Sequence, residues 1–235
     1  MKNDLMKRLR HPSFYILHFA FSICLCGCFK EPRPAYETVP AETQVYLKGK
    51  GLQVLTTEAL MKDGVVYVGG PEAQPTNLAS QVSTLDPASL TYLNLDYNEL
   101  TNVDALVSFT GLKWLRLNNN RLESLPDLSG LGSLRRLYLR DNALASVPEF
   151  LRPENLPELD TLDLSGNPIA AVPDWLAQRK GLRHLSLSDT AVTALPKDLS
   201  AWQSLKSLQL GGLRLGSLEE LKRIRAALPD TAVVF

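Results

Sequence analysis

The chain has 235 residues, of which 45% are hydrophobic and 21% charged, and 25 Lys and Arg balance 25 Asp and Glu. This composition excludes wholesale disorder, and it lacks the basic footprint of a general nucleic-acid binder, so no nucleic-acid partner is expected. Four cations (Lys2, Lys7, Arg8, Arg10) and one anion (Asp4) precede residue 28, which leaves 21 cations against 24 anions and a mildly acidic remainder.

All three cysteines (Cys24, Cys26, Cys28) and two of the three histidines (His11, His18) also fall in that leading segment, so His184 is the only imidazole beyond it. The body of the chain therefore has no material for a disulfide framework, a thiolate zinc site or a multi-histidine metal site. Neither a metal nor a cofactor is expected.

Residues 1–27 place a basic stretch before an apolar run from Phe14 to Leu25 and lead through Leu25-Cys26-Gly27 into Cys28. This is a secretory signal layout. As a helix the 12-residue run reaches about 18 Å, whereas a bilayer core needs roughly 20 residues. Its ending resembles the lipobox of bacterial lipoproteins. The resemblance implies cleavage after Gly27, a diacylglycerol thioether and further acyl chains on Cys28, and a protein anchored to a membrane of the bacterial cell envelope. Phe29 stands where some Gram-negative lipoproteins carry the aspartate of inner-membrane retention, which favours the outer membrane or cell surface. Residues 28–43 follow, with Pro32, Pro34 and Pro40 and few aliphatic side chains. They read as an extended tether.

Residues 44–89 form an expected N-terminal cap with degenerate repeats. Its strands are marked by Val45-Tyr-Leu47 and Val66-Tyr-Val68, spaced near the period described next, and a short helix is expected within 76–88. From Leu90 an eleven-residue frame, Leu-x-x-Leu-x-Leu-x-x-Asn-x-Leu, begins at Leu90 and recurs at Leu112, Leu134, Leu159, Leu182 and Leu205. Of the 146 residues from Leu90 onward 35 are leucine, more than an ordinary core uses, which calls for a repeat architecture. The frame resembles the leucine-rich repeat family and covers residues 90–215 as six repeats. That resemblance implies an α/β solenoid, a horseshoe with a parallel concave β-sheet and a convex side that is mostly 3₁₀ or irregular.

Within the frame, Leu-x-Leu suits a short strand with both leucines on one face. Asn98, Asn120, Asn142 and Asn167 are the expected structural ladder, because an amide can serve backbone groups left unpaired at a tight bend. Thr190 is a weaker substitute, and Leu213 cannot serve. Leu125-Pro126, Val147-Pro148, Val172-Pro173 and Leu195-Pro196 favour 3₁₀ or irregular convex segments. The first repeat lacks this proline and looks closer to the internalin type. Residues 216–235 form a C-terminal cap: Leu218, Leu221, Ile224 and Leu228 lie at helical spacing between the candidate N-cap Ser217 and Pro229, and Ala232–Phe235 adds a strand.

In this family, frame positions three, five and seven line the concave face. Tyr92, Trp114, Arg116, Arg136, Tyr138 and Arg140 then gather in the first three repeats as candidate partner-binding residues, with Tyr97 at the rim. Tyrosine, tryptophan and arginine dominate binding hot spots. The alternative is a solvated sheet in which the arginines pair with Asp96, Asp141 and Asp163. A Ser-His-Asp list can be composed around His184, Ser207 and Asp163, but neither a nucleophile turn nor an oxyanion hole accompanies it, so no catalytic residue is assigned. The expected function is binding of a protein partner, with an anionic glycan as the alternative.

Overall fold

In a computed structural model the described residues are 44–46, 49, 53, 65–67, 75–77, 88 and 90–235. Residues 1–43, including Cys28 and the whole tether, and nearly all of 76–88 lie outside them. The chain divides into two units, residues 1–37 and 38–235, and the described residues all belong to the second.

The leucine frame dictates the architecture of that unit. Alternation along a strand sends positions four and six to one face and positions three and five to the other. Leu93, Leu95, Leu115, Leu117, Leu137, Leu139, Leu162, Leu164, Leu185, Leu187, Leu208 and Leu210 accordingly form one continuous core with the position-one leucines, all at 1% exposure or less. Each repeat contributes three strand residues. The strands are β1 (Gln44–Tyr46), β2 (Val65–Tyr67), β3 (Pro75–Asn77), β4 (Tyr92–Asn94), β5 (Trp114–Arg116), β6 (Arg136–Tyr138), β7 (Thr161–Asp163), β8 (His184–Ser186), β9 (Ser207–Gln209) and β10 (Ala232–Val234). Among the described residues they make one sheet in the order β10-β9-β8-β7-β6-β5-β4-β1-β2-β3. From β4 to β10 every pairing is parallel and in frame, so Tyr92, Trp114 and Arg136 are successive neighbours, as are Asn94, Arg116 and Tyr138.

The leading strands follow two different rules. β1 pairs parallel with β4, and the chain beyond it stays in step: Gly49 N–H donates to the Asp96 carbonyl at 2.9 Å, just as Tyr97 N–H donates to Asn118 and Asn119 N–H to Arg140. In strand direction and in the left-handed Gly49 the described residues here follow the repeats. β2, in contrast, pairs antiparallel with β1, and β3 antiparallel with β2. The spacing between Val45 and Val66 matches the repeat period by count alone, because the chain reverses between them and a solenoid turn never does.

Every repeat turns out of its strand through a left-handed residue at position eight: Tyr97, Asn119, Asp141, Gly166, Asp189 and Gly212, with Gly49 after β1, at φ between +53° and +75°. At two of the glycines a side chain would also displace the carboxylate of the preceding turn. A Cβ on Gly166 would lie 2.1 Å from the Asp141 Oδ1, and one on Gly212 2.1 Å from the Asp189 Oδ1.

Behind the turn the position-nine asparagines bridge repeats. Asn120 Nδ2 donates to Leu117 and Asn118 carbonyls of its own repeat and to Leu95 of the one before, while its Oδ1 accepts from Leu100 N–H. Asn142 and Asn167 repeat the pattern, accepting from Leu122 and Leu144. Asn98 serves Leu95 and Asp96, and Thr190 donates to Leu187.

The convex side carries 3₁₀ turns at Asp104–Ser108, Glu149–Leu151 and Ser200–Ser204 and a single helical turn, α1 (Asp174–Ala177). The C-terminal cap is a helix and a strand. In α2 (Leu218–Ala227) the Ser217 Oγ accepts from Glu220 N–H at 3.2 Å, and β10 then adds to β9. Ile224 and Leu228 are buried by the last repeat, whereas Leu218, in the first turn, is 61% exposed.

Candidate functional site

Parallel, in-frame pairing sets equivalent side chains about 4.8 Å apart across the concave sheet. In the first three repeats they interlock. Along position three, Tyr92 meets Trp114 edge-on with ring centroids 5.7 Å apart, and the Arg136 guanidinium lies 4.2 Å from the Trp114 ring centroid. Along position five, Arg116 reaches back to Asp96 at 2.6 Å and also lies 5.3 Å from the Tyr138 ring centroid. Asp96 is fully buried, and its second oxygen accepts from Asn118 N–H at 2.8 Å. Arg140 pairs with Asp141 at 3.1 Å across a partly exposed contact.

The six candidate residues are therefore brought together, with unequal roles. Tyr92 and Tyr138 are 7% and 5% exposed and form the floor of the patch. Trp114, Arg116, Arg136 and Arg140 keep intermediate exposure and form its upper surface. Of the carboxylates that could neutralise the arginines, Asp96 holds Arg116 and Asp141 holds Arg140, whereas Asp163 instead accepts from Ser165 N–H and Oγ–H.

The C-terminal half of the face carries small polar groups around His184. Burial lowers the pKa of this imidazole; Asp160 opposes the shift, and Arg136 and Arg183 add to it. Thr161 donates its hydroxyl proton to Asp160 at 2.7 Å, and the Ser207 Oγ accepts from Gln209 Nε2 at 3.1 Å. The Thr161 proton is thus committed to Asp160, and Asp163 sits two residues beyond Thr161 along β7.

Sequence reasoning missed Arg179. Buried to 1% exposure behind α1, it donates to the carbonyls of Leu151, Arg152 and Leu156, closing the extra loop of the third repeat. Loss of hydration brings its pKa down to about 10, so it stays protonated at neutral pH. The available signal was the interval of 25 residues between Leu134 and Leu159, longer than its neighbours, whose surplus carbonyls require donors.

Two sequence profiles match this region. One described as leucine rich repeat covers residues 88–144, and one described as leucine rich repeats, two copies, covers residues 132–177. The solenoid is a leucine-rich repeat domain.

One solved structure shows the same fold, and two others are similar. The leucine-rich repeat domain of APL1B is 27% identical, with a TM-score of 0.52 over 63% of this chain and 42% of its own. An internalin, inlF, from Listeria monocytogenes is 24% identical, with a TM-score of 0.48 over 63% of this chain and 41% of its own. The functional domain of InlJ from the same organism is 22% identical, with a TM-score of 0.46 over 56% of this chain and 27% of its own. The leucine-rich repeat chain thus spans less than half the length of each of these structures. No curated protein matches its sequence significantly. Leucine-rich repeat domains generally mediate protein–protein interactions and are typically non-catalytic.

Proposed function

We propose that the chain is a lipid-anchored protein of the bacterial envelope whose leucine-rich repeat domain binds a protein partner through the N-terminal half of its concave face. The observation that carries the reading is the interlocked patch. Trp114 is braced edge-on by the buried Tyr92 and Arg136 lies over the half-buried Trp114, so a partner meets side chains whose rotamers are already restricted, which lowers the entropy cost of binding. The lipobox-like Leu25-Cys26-Gly27-Cys28 supports the anchor, as does the proline-containing stretch that follows it. Among the described residues no helix is long and apolar enough to cross a membrane. Two or more acyl chains on Cys28 hold a protein stably on a bilayer, where one chain does not.

Crosslinking on intact cells captures the partner, and its affinity for variants then tests the patch. Trp114→Ala costs about 2 kcal/mol or more, some thirtyfold, whereas Ser186→Ala and Gln209→Ala change little. A partner that tolerates Trp114→Ala but is lost with Ser186→Ala or Gln209→Ala places the site at the other end of the arc. Cys28→Ala accumulates unprocessed precursor, and a processed, membrane-bound Cys28→Ala protein refutes the anchor.

A further inference from the structure

The three concave arginines look alike in sequence, yet their donors are committed differently. Arg116 aims both Nε and a terminal nitrogen at Asp96, at 2.7 and 2.6 Å, so one edge of its fork is filled from within the molecule. Arg140 gives its Nε to Asp141. The Arg136 guanidinium lies over the Trp114 ring, 4.2 Å from its centroid, and has no carboxylate partner among the described residues. A cation over an aromatic face is held by the ring's quadrupole and not by filling its N–H donors, so the fork stays available to an anion.

The setting favours a planar anion over a diffuse charge. Arg136 is half-buried, its orientation is fixed by the Trp114 ring, and that ring is itself braced by Tyr92. Hydrogen bonds to a fixed fork are directional, and a carboxylate accepts two of them in parallel. The apolar edge of Trp114 alongside suits the methylene stem of an acidic side chain.

We infer that Arg136 is the specificity-determining residue of the concave face, and that it takes a side-chain carboxylate, Asp or Glu, presented by an acidic segment of a protein partner. The inference rests on the concave-face reading above and names the chemistry of the group received.

The test selects binders from a displayed random-peptide library on the full chain held in detergent micelles. The selected peptides share an acidic position, and changing that residue to its amide costs about tenfold or more in affinity, as does Arg136→Gln. Combined, the two changes cost little more than either alone, because they remove the same pair of hydrogen bonds. Arg136→Lys restores only part of the loss, since an ammonium cannot reproduce the fork. The exposed Arg214→Gln has no effect.

Peptides lost with Trp114→Ala but showing no acidic position, or an amide exchange that costs the same in Arg136→Gln as in the parent, overturn the carboxylate inference and leave the concave-face reading standing. Peptides that bind regardless of Trp114→Ala, or a library without binders, overturn the concave-face reading itself. A polygalacturonate oligosaccharide held through Arg136 while no peptide is held assigns the site to an anionic glycan and overturns the peptide assignment.

Discussion

Tyr97 holds φ at +57° with its side chain 56% exposed, at a frame position where the other five repeats place Asn, Asp, Gly, Asp and Gly. For a bulky L residue the left-handed region costs roughly 1–2 kcal/mol, and asparagine relieves part of that cost. Tyr97→Asn is therefore expected to raise the urea unfolding midpoint, by about 1 kcal/mol in stability, and a midpoint lowered by that amount shows that the ring is held by packing worth more than the strain. Arg179 is the opposite case, a side chain unremarkable in sequence and indispensable in place. Arg179→Ala removes the donor of the Leu151 carbonyl and one of the two donors of the Arg152 and Leu156 carbonyls, which keep the Asn155 and Leu159 N–H groups, and costs about 1–3 kcal/mol, whereas Arg183→Ala, exposed four residues on, costs less than about 0.5 kcal/mol. Equal urea midpoints for the two variants contradict this role.

Within one repeat the frame separates three adjacent jobs. Leu139 is fully buried, Arg140 is half-exposed and pairs with Asp141, and Asn142 joins its own repeat to the one before through four hydrogen bonds. Leu139→Ala should cost about 2–5 kcal/mol and Asn142→Ala at least about 1–3 kcal/mol, while Arg140→Ala stays within about 0.5 kcal/mol. Urea midpoints that rank Arg140→Ala as the most damaging would place the frame out of phase. At this scale the chain was widely legible: Leu-x-Leu marks each strand from β4 to β9, and Ser217 and Pro229 bracket α2. The reversal at β2 was not legible, because strand direction depends on the path of the connection and the apolar pattern of a three-residue strand is the same in either sense. The division of labour among Arg116, Arg136 and Arg140 was also hidden. Row positions show which side chains are neighbours, whereas the choice between a carboxylate and an aromatic ring is made by rotamers and burial.

Among the described bonds the amide bridges run from Asn120 to Asn167 and then stop. Thr190 serves its own repeat through one bond, and position nine of the sixth repeat is Leu213. In a solenoid each repeat is stabilised by its neighbours, so loss of a bridging bond lowers local stability at that boundary. Amide hydrogen exchange should be slowest from β5 to β7 and faster in β9 and β10. Uniform protection from β5 to β10 would show that α2 compensates fully. The turn column carries a different implication, for how such a chain can be edited. Gly166 accommodates the carboxylate of Asp141, and Gly212 that of Asp189, so the fourth and sixth repeats are fitted to the ones they follow. Excising the fourth repeat alone would set the Asp189 turn against the Asp141 turn, and the Asp141 carboxylate would have to move aside for the new side chain. Excising the fourth and fifth together would bring Gly212 to Asp141 and preserve the fit, and excising the fifth alone would set Gly212 after Gly166, where no carboxylate stands in the way. Which single repeat can be lost without rearrangement is thus decided by the residue that the deletion places after Asp141.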